Sequence, residues 1–202
     1  MNAMNIDSKS IQVDNCLKVL STALNTLGLD QSAIDETLLQ CQCFNASSGQ
    51  ILLRQGQPQN NAYFIVSGIL KACHYSGSGA DLSKEFYFTH ELCFLYACWL
   101  TGHVAEYQIE VVETAQLLQI PLSLLSQPQW QTGKIALLSQ QLIYKEQKEA
   151  FLLLNTPEQR YQFLIEHRPI WVKKLNNIQL ASYIGISPVS LSRLKSRLFE
   201  QS

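Results

Sequence analysis

No run of eighteen apolar residues occurs anywhere in these 202 residues, so a membrane-spanning helix is not expected. The opening segment, MNAMNIDSKSIQVDN, has no apolar core of the kind a secretory signal needs, and a cytoplasmic location is the expectation. Charge is sparse, at 15 % of residues and a formal net of −1. Also absent are a nucleophile elbow, a phosphate-binding loop, a dinucleotide fingerprint and an H-E-x-x-H pair. His90-Glu91 has no second histidine at ligand spacing, so an enzyme is not expected. Six cysteines are present, at 16, 41, 43, 73, 93 and 98, but none forms a C-x-x-C pair. In a cytosolic chain they read as reduced thiols, and no metal, cluster or other cofactor is expected. One absence is local: no Lys or Arg occurs from Glu85 to Gly133, a stretch that carries Glu85, Glu91, Glu106, Glu110 and Glu113.

What is present is apolar content of 47 %, enough for a packed core and too much for a disordered chain. The charge is also unevenly placed. From Thr156 to Ser202 there are seven basic residues against three acidic ones, a net of +4; the first 155 residues hold eight against thirteen, a net of −5. Positive charge gathered in one small unit is the footprint of phosphate binding.

Periodicity divides the chain into an α+β protein. Leu17, Leu20, Leu24 and Leu27 recur at helical spacing within residues 16–43. Gly28 ends that helix, and Asp30 or Ser32 caps a second one running toward Leu39. From Phe44 to Ile120 short apolar runs alternate with Gly, Asn, Gln, Ser and Pro, the pattern of many short strands in a sandwich or barrel. Ser76-Gly77-Ser78-Gly79 reads as an exposed loop, because no strand-to-helix context surrounds it. Tyr107 to Leu118 reads as the last strand, and Pro121 as the start of a short helix with Leu122, Leu124 and Leu125. A long helix follows from about Trp130 to Leu154, its stripe of Ile135, Leu138 and Leu142 too apolar to stay exposed. It packs on its own barrel or on a twin copy. Thr156, Pro157 and Gln159 make a capped start for the next helix. The expected domains are a barrel over 16–129, a dimerisation helix over 130–155 and a C-terminal unit over 156–202.

That last unit contains IQLASYIGISPVSLSRLKSR, from Ile178 to Arg197. Leu180, Ala181 and Ile184 share one helix face. Gly185 follows where a helix end needs positive φ, Ser187 fits an N-cap and Pro188 the first helical position. Leu191, Leu194 and Leu198 form the buried stripe of the second helix. Two helices joined in this way are a helix-turn-helix, the unit that lays its second helix in the DNA major groove. The outward residues Ser187, Val189, Ser190, Ser192, Arg193, Lys195 and Arg197 are the candidate DNA contacts.

The order barrel, long helix, helix-turn-helix resembles the Crp/Fnr family of bacterial transcription regulators. Gly49-Gln50-x-Leu52-Leu53-x-x-Gly56 looks like that family's opening barrel turn. Tyr63-Phe64-Ile65-x-x-Gly68-x-Leu70-Lys71 looks like its next hairpin, and Tyr107-x-Ile109-Glu110 through Leu117-Leu118-x-Ile120 like the strand that leaves its pocket. Pro157-Glu158-x-Arg160-Tyr161 and Leu180-Ala181-x-x-x-Gly185-Ile186-Ser187 through Ser192-Arg193 look like its DNA-binding half. The resemblance implies a jelly-roll-like barrel with flanking helices, a homodimer on palindromic double-stranded DNA, and RNA polymerase as a further candidate partner. It implies that Arg193 is the base-reading arginine, suited to a bidentate contact with guanine. Pro188 and Val189 depart from the charged residues common at those positions. The sequence ends five residues past Arg197, so the β-wing of the family is not expected.

The pocket departs further. The family's nucleotide site uses a Gly-Glu pair and an arginine about a dozen residues on, the arginine pairing with the cyclic phosphate. Here Glu91 matches the acid, His90 replaces the glycine, and the arginine is missing. A buried phosphate without its cation would cost several kcal/mol, so cyclic AMP is not expected to bind in the usual way. The candidate lining is Glu91, Phe94, Trp99 and Tyr107, beside Leu95, Tyr96 and Leu100. Three readings stay open: a purely structural barrel, a site for an uncharged or apolar effector, and a redox or haem sensor using Cys93, Cys98, His90 or His103. The rival classes are a regulator that takes a cyclic nucleotide through a non-standard pocket, and a protein-interaction module that binds no DNA.

Overall fold

The computed structural model describes the backbone of residues 3–75 and 81–200 and the side chains of 13–74 and 82–198. The Ser76-Gly77-Ser78-Gly79 loop lies outside the described residues. The chain folds as two compact units, one of Met1–Asp81 with Phe86–Ser139 and one of Leu82–Glu85 with Gln140–Ser202. Among the described residues no helix is long and apolar enough to cross a membrane.

The first unit opens with α1 (Ala3–Thr26) and α2 (Gln31–Gln40). The helix begins well before residue 16, because the polar N-terminal segment continues the α1 turn and its apolar stripe starts only at Cys16. Gly28 ends α1 at φ +81°, and the Asp30 carboxylate caps α2 by accepting from the Ala33 amide at 2.8 Å. The strands are β1 (Gln42–Ala46), β2 (Ile51–Leu53), β3 (Asn61–Tyr75), β4 (Asp81–Tyr87), β5 (Leu92–Cys93) and β6 (Gln108–Pro121), with α3 (Tyr96–Thr101) between the last two. They form one sheet of order β1-β6-β3-β4, with β2 added to β6 and β5 to β3. The expectation of uniformly short strands is corrected: β3 and β6 run for 15 and 14 residues. They pair antiparallel from Asn61↔Pro121 to Cys73↔Gln108, with bulges between Ile65 and Leu70. Gly68 sits in that irregular stretch at φ +96°, where a Cβ would come 2.6 Å from the Ala115 Cα. Only a glycine lets the two backbones approach so closely. Pro121 is the last residue of β6 and starts no helix; two 3-10 turns follow, at Leu124–Ser126 and Pro128–Trp130.

Strand alternation sends side chains to opposite faces of the sheet. One face carries Ala62, Phe64, Leu118 and Ile120, which pack with Leu20 and Leu24 of α1, Ile34 of α2 and Trp130. Each fully buried Leu or Phe there contributes about 1.5–3 kcal/mol. Polar tips in that layer are satisfied: the Trp130 indole N–H donates to Thr37 Oγ1 at 3.0 Å and that of Trp99 to Ser126 Oγ at 2.9 Å. The other face carries Tyr63, Ile65, Leu70, Ala72, Tyr107, Ile109, Val111, Ala115 and Leu117, joined by Leu53, Cys93, Leu95 and Cys98.

The helix α4 (Gln131–Leu154) passes from the first unit into the second. Of the two expected packings, its own chain does not supply the cover: Ile135, Leu142, Ile143, Leu153 and Leu154 are 57–81 % exposed in the single chain. The second unit continues with α5 (Pro157–His167), α6 (Pro169–Lys174), α7 (Asn177–Ile184) and α8 (Pro188–Glu200). Thr156 opens α5 with a capping box, its hydroxyl accepting from the Gln159 backbone amide while the Gln159 side-chain Oε1 accepts from the Thr156 backbone amide. The core of the unit is Tyr161, Leu164, Trp171, Leu175, Leu180, Ala181, Tyr183, Ile184, Leu191 and Leu194.

Candidate nucleic-acid interface and the sheet interior

The turn between α7 and α8 is built from local chemistry. Asn176 caps α7, its side-chain oxygen accepting from the Gln179 amide at 2.9 Å, and Gln179 returns a bond to the Asn176 amide. At the other end Gly185 adopts φ +76°, and the Ile186 amide reaches back to the Ala181 carbonyl at 3.0 Å. This is a glycine-terminated helix end that satisfies carbonyls otherwise left open. Ser187 then caps α8, accepting from the Ser190 amide at 3.1 Å. Three residues between the helices therefore suffice to reverse the chain.

Leu180, Ala181, Ile184, Leu191 and Leu194 are buried, and Leu198 is half-buried. On α8 that leaves Ser187, Val189, Ser190, Ser192, Arg193, Ser196 and Arg197 exposed. At 3.6 residues per turn, Val189, Ser190, Ser196 and Arg197 fall within about 60° of Arg193. Arg193 thus stands at the middle of a polar and basic face, with Ser192 at its edge. Lys195 departs from the expected set. It is half-buried, its Nζ donates to Asn177 Oδ1 at 2.6 Å and lies 5.4 Å from the Tyr161 ring centre, and burial lowers its pKa. Its stem covers the core instead of facing outward.

Arg160, quoted above only as part of a motif, acts inside this unit. Its guanidinium donates to the carbonyls of Asn155 at 3.0 Å, Ile184 at 2.7 Å and Leu152. One side chain so closes the C-terminal ends of α4 and α7. Proximity in space, not in sequence, creates that role, and no spacing rule signals it.

The four residues expected to line one pocket are not brought together. Phe94 and Trp99 pack edge to face at 5.4 Å in the layer beneath α1 and α2, while Tyr107 belongs to the opposite face of the sheet, where its ring lies 5.1 Å from His74. Glu91 is exposed, and its carboxylate accepts from the Phe88 amide at 2.9 Å. Beside it His90 takes φ +72°, a conformation natural to glycine and costly for histidine. Its amide donates to the Ile65 carbonyl at 2.7 Å, and its ring stacks on Phe64.

Charge in this region is also distributed differently from the linear pattern. Among the described residues the buried charged side chains are Lys71 and Glu85, and none is an arginine. Lys71 lies 3.6 Å from Glu110, its cross-strand partner. Since Leu70 and Ala72 point to the face of Ile65 and Tyr107, alternation sends Lys71 to the other side. Of the candidate sensors, Cys93 is fully buried, and Cys98 is buried with its thiol against the Val104 carbonyl at 3.6 Å. None of the six cysteines is in a disulfide, and no group of three metal-ligating side chains occurs among the described residues.

Residues 44–127 match the family model of the cyclic nucleotide-binding domain. No curated protein matches the sequence. Among solved structures, FixK2 from Bradyrhizobium japonicum superposes with a TM-score of 0.67 at 16 % identity, over 80 % of this chain and 85 % of that one. CLP of Xanthomonas campestris, a c-di-GMP-responsive global regulator, gives 0.66 at 15 % identity over 85 % and 93 %. A putative cyclic nucleotide-binding protein from Ruegeria pomeroyi gives 0.58 at 21 % identity over 85 % and 81 %. Residues 44–127 are therefore similar to a cyclic nucleotide-binding domain, and the chain as a whole shares the fold of the Crp/Fnr-family transcription regulators.

Proposed function

We propose that the protein is a sequence-specific DNA-binding transcription regulator that works as a homodimer. The observation that carries this reading is the exposed face of α8, a recognition helix capped by Ser187 at its start and with Arg193 at its centre, in a unit of net charge +4. Arg193 reads guanine, Ser187 and Ser190 sit at the helix start against phosphate, and Arg197 adds charge to the backbone contact. The exposed stripe on α4 supports the dimer, because two copies would bury it and present two α8 helices to the half-sites of a palindrome. Output through RNA polymerase follows from the same reading, and a catalytic role does not.

For the sensor domain, the family match names a nucleotide-binding domain, but the residues here lack the phosphate partner. The sheet interior is lined by apolar side chains, and no arginine is buried among the described residues. We therefore assign it no conventional cyclic AMP site; an effector, if it enters, is uncharged or binds by other contacts.

Selection of bound duplexes from a random library, with a salt titration, tests the DNA reading. A palindromic site should emerge, and Arg193→Ala should cost about 1–3 kcal/mol and relax one position of each half-site. Failure to enrich any site, with Arg193→Ala indistinguishable from wild type, defeats the proposal. Titration calorimetry with cyclic AMP tests the pocket: no heat is expected at micromolar ligand, and micromolar affinity would show the assignment wrong.

A further inference from the structure

We infer that Glu85 and Lys148, with Tyr144 and Tyr183, are positioning residues that pin α7 to α4 and thereby set where the recognition helix stands. This rests on the DNA-binding reading above and adds what holds the reading helix in place. The cluster lies within the helical unit, which includes the strand segment Leu82–Glu85. Glu85 is 7 % exposed, and its Oε2 accepts from Tyr144 Oη at 2.5 Å and from Lys148 Nζ at 3.0 Å. Lys148 Nζ also donates to the Lys84 carbonyl at 2.5 Å and lies 4.1 Å from the Tyr183 ring centre. The hydroxyls of Tyr144 and Tyr183 are 3.1 Å apart, and next to them Ser182 Oγ donates to the Ser83 carbonyl at 3.4 Å. Three elements therefore meet around one carboxylate: the strand segment that carries it, α4, whose Tyr144 and Lys148 bond to it, and α7, whose Tyr183 touches Tyr144 and Lys148 while Ser182 bonds the strand backbone.

A buried ion pair adds little net stability, since desolvation offsets most of the attraction. What it supplies is geometry. A buried carboxylate and a half-buried ammonium are satisfied together in few arrangements, and any shift that parts them leaves an uncompensated charge. Arg160 makes a second attachment between α4 and α7, at the Leu152 and Ile184 carbonyls. Tyr144 and Leu152 are eight residues apart on α4, roughly 12 Å at helical rise. Two attachments at that separation fix the rotation of α7 on α4 as well as its distance. The rotation passes to α8, because Leu191 and Leu194 lock into the same core as Leu180 and Ile184. A palindrome demands two recognition helices at a set separation of about one turn of DNA, whereas a single half-site does not.

The test compares the selected palindrome with a duplex carrying one half-site, by fluorescence anisotropy, for wild type, Glu85→Gln, Tyr144→Phe and the exposed control Gln147→Ala. Glu85→Gln and Tyr144→Phe should weaken palindrome binding by about tenfold or more, because the gain from engaging both half-sites depends on geometry. Half-site affinity should stay within about twofold of wild type. Gln147→Ala should match wild type on both. Tyr144→Phe keeps the ring and loses one hydroxyl, so it serves should Glu85→Gln fail to fold. Folded variants that bind the palindrome as wild type does, or that lose both sites equally, overturn the inference. If wild type binds no DNA, the functional reading fails by itself, and amide exchange still decides the pin. Faster exchange across α7 in Tyr144→Phe, measured without DNA, supports it, and unchanged exchange refutes it.

Discussion

His90 is a residue whose side chain and backbone disagree. The turn before β5 needs φ +72°, and its amide is committed to the Ile65 carbonyl, so the backbone cannot relax without breaking the turn. A left-handed conformation costs a non-glycine residue about 1–2 kcal/mol. His90→Gly should recover part of that, against the lost ring stacking on Phe64, and raise stability by up to about 1 kcal/mol. A higher urea midpoint at unchanged slope is the readout. Buried Cys16 and half-buried Cys41 act on stability through pH. Burial pushes Cys16 up to about 11, helped by neighbouring Cys43, and Cys41 up to about 12, from an ordinary value of 9.0. The folded chain therefore keeps protons that the unfolded chain releases. Their contribution is complete below pH 9 and falls as pH rises toward 11–12. Urea midpoints should drop between pH 8 and pH 10.5, and Cys41→Ser should narrow the drop.

At the scale of elements, α4 is the helix whose surface is least accounted for by its own chain. Ile135 and Leu142 are exposed at heptad separation, with Ile143 beside them and Leu153 and Leu154 near the end. Exposed leucines and isoleucines in this density fit the seam of the helix pair proposed above. Leu142→Glu should convert a dimer to a monomer in light scattering at micromolar protein, while the circular dichroism of the fold is retained. A wild-type monomer at that concentration would exclude the dimer. The β3–β6 ladder shows a different kind of element. Its length requires bulges, and Gly68 is the residue that lets the bulged backbone touch Ala115. Gly68→Ala would force a methyl into backbone atoms and is expected to cost at least about 2 kcal/mol.

At the scale of the whole molecule, legibility in the sequence followed the range of the interaction. Caps and turns are local, and Asp30, Thr156, Gln159, Gly185 and Ser187 all stand in the roles that their neighbours in sequence demand. The fold class was legible for the same reason, since periodicity is a short-range signal. What escaped depends on long-range juxtaposition. Phe94 and Trp99 were separable from Tyr107 only once the faces of the sheet were known. Lys195 reads as outward by charge and turns inward because Asn177 and Tyr161 are there to meet it. The stretch from Glu85 to Gly133 holds no cation of its own, yet Lys71 reaches Glu110 and Lys148 reaches Glu85 from outside it.

The inclusion of Leu82–Glu85 in the helical unit bears on how such a protein can be divided or recombined. The unit is not one continuous length of chain, so a cut at α4 would carry off Lys148 and Tyr144 without the carboxylate they hold. A hybrid regulator made by joining residues 140–202 to a foreign sensor would inherit the half-buried Lys148 ammonium without the Glu85 carboxylate. It would need an acidic residue grafted into the foreign strand, or an apolar replacement of Lys148, before it could be portable. Substitutions in four residues of one strand are thereby constrained by the helices, and the strand's own sheet is only half of the environment in which they are selected.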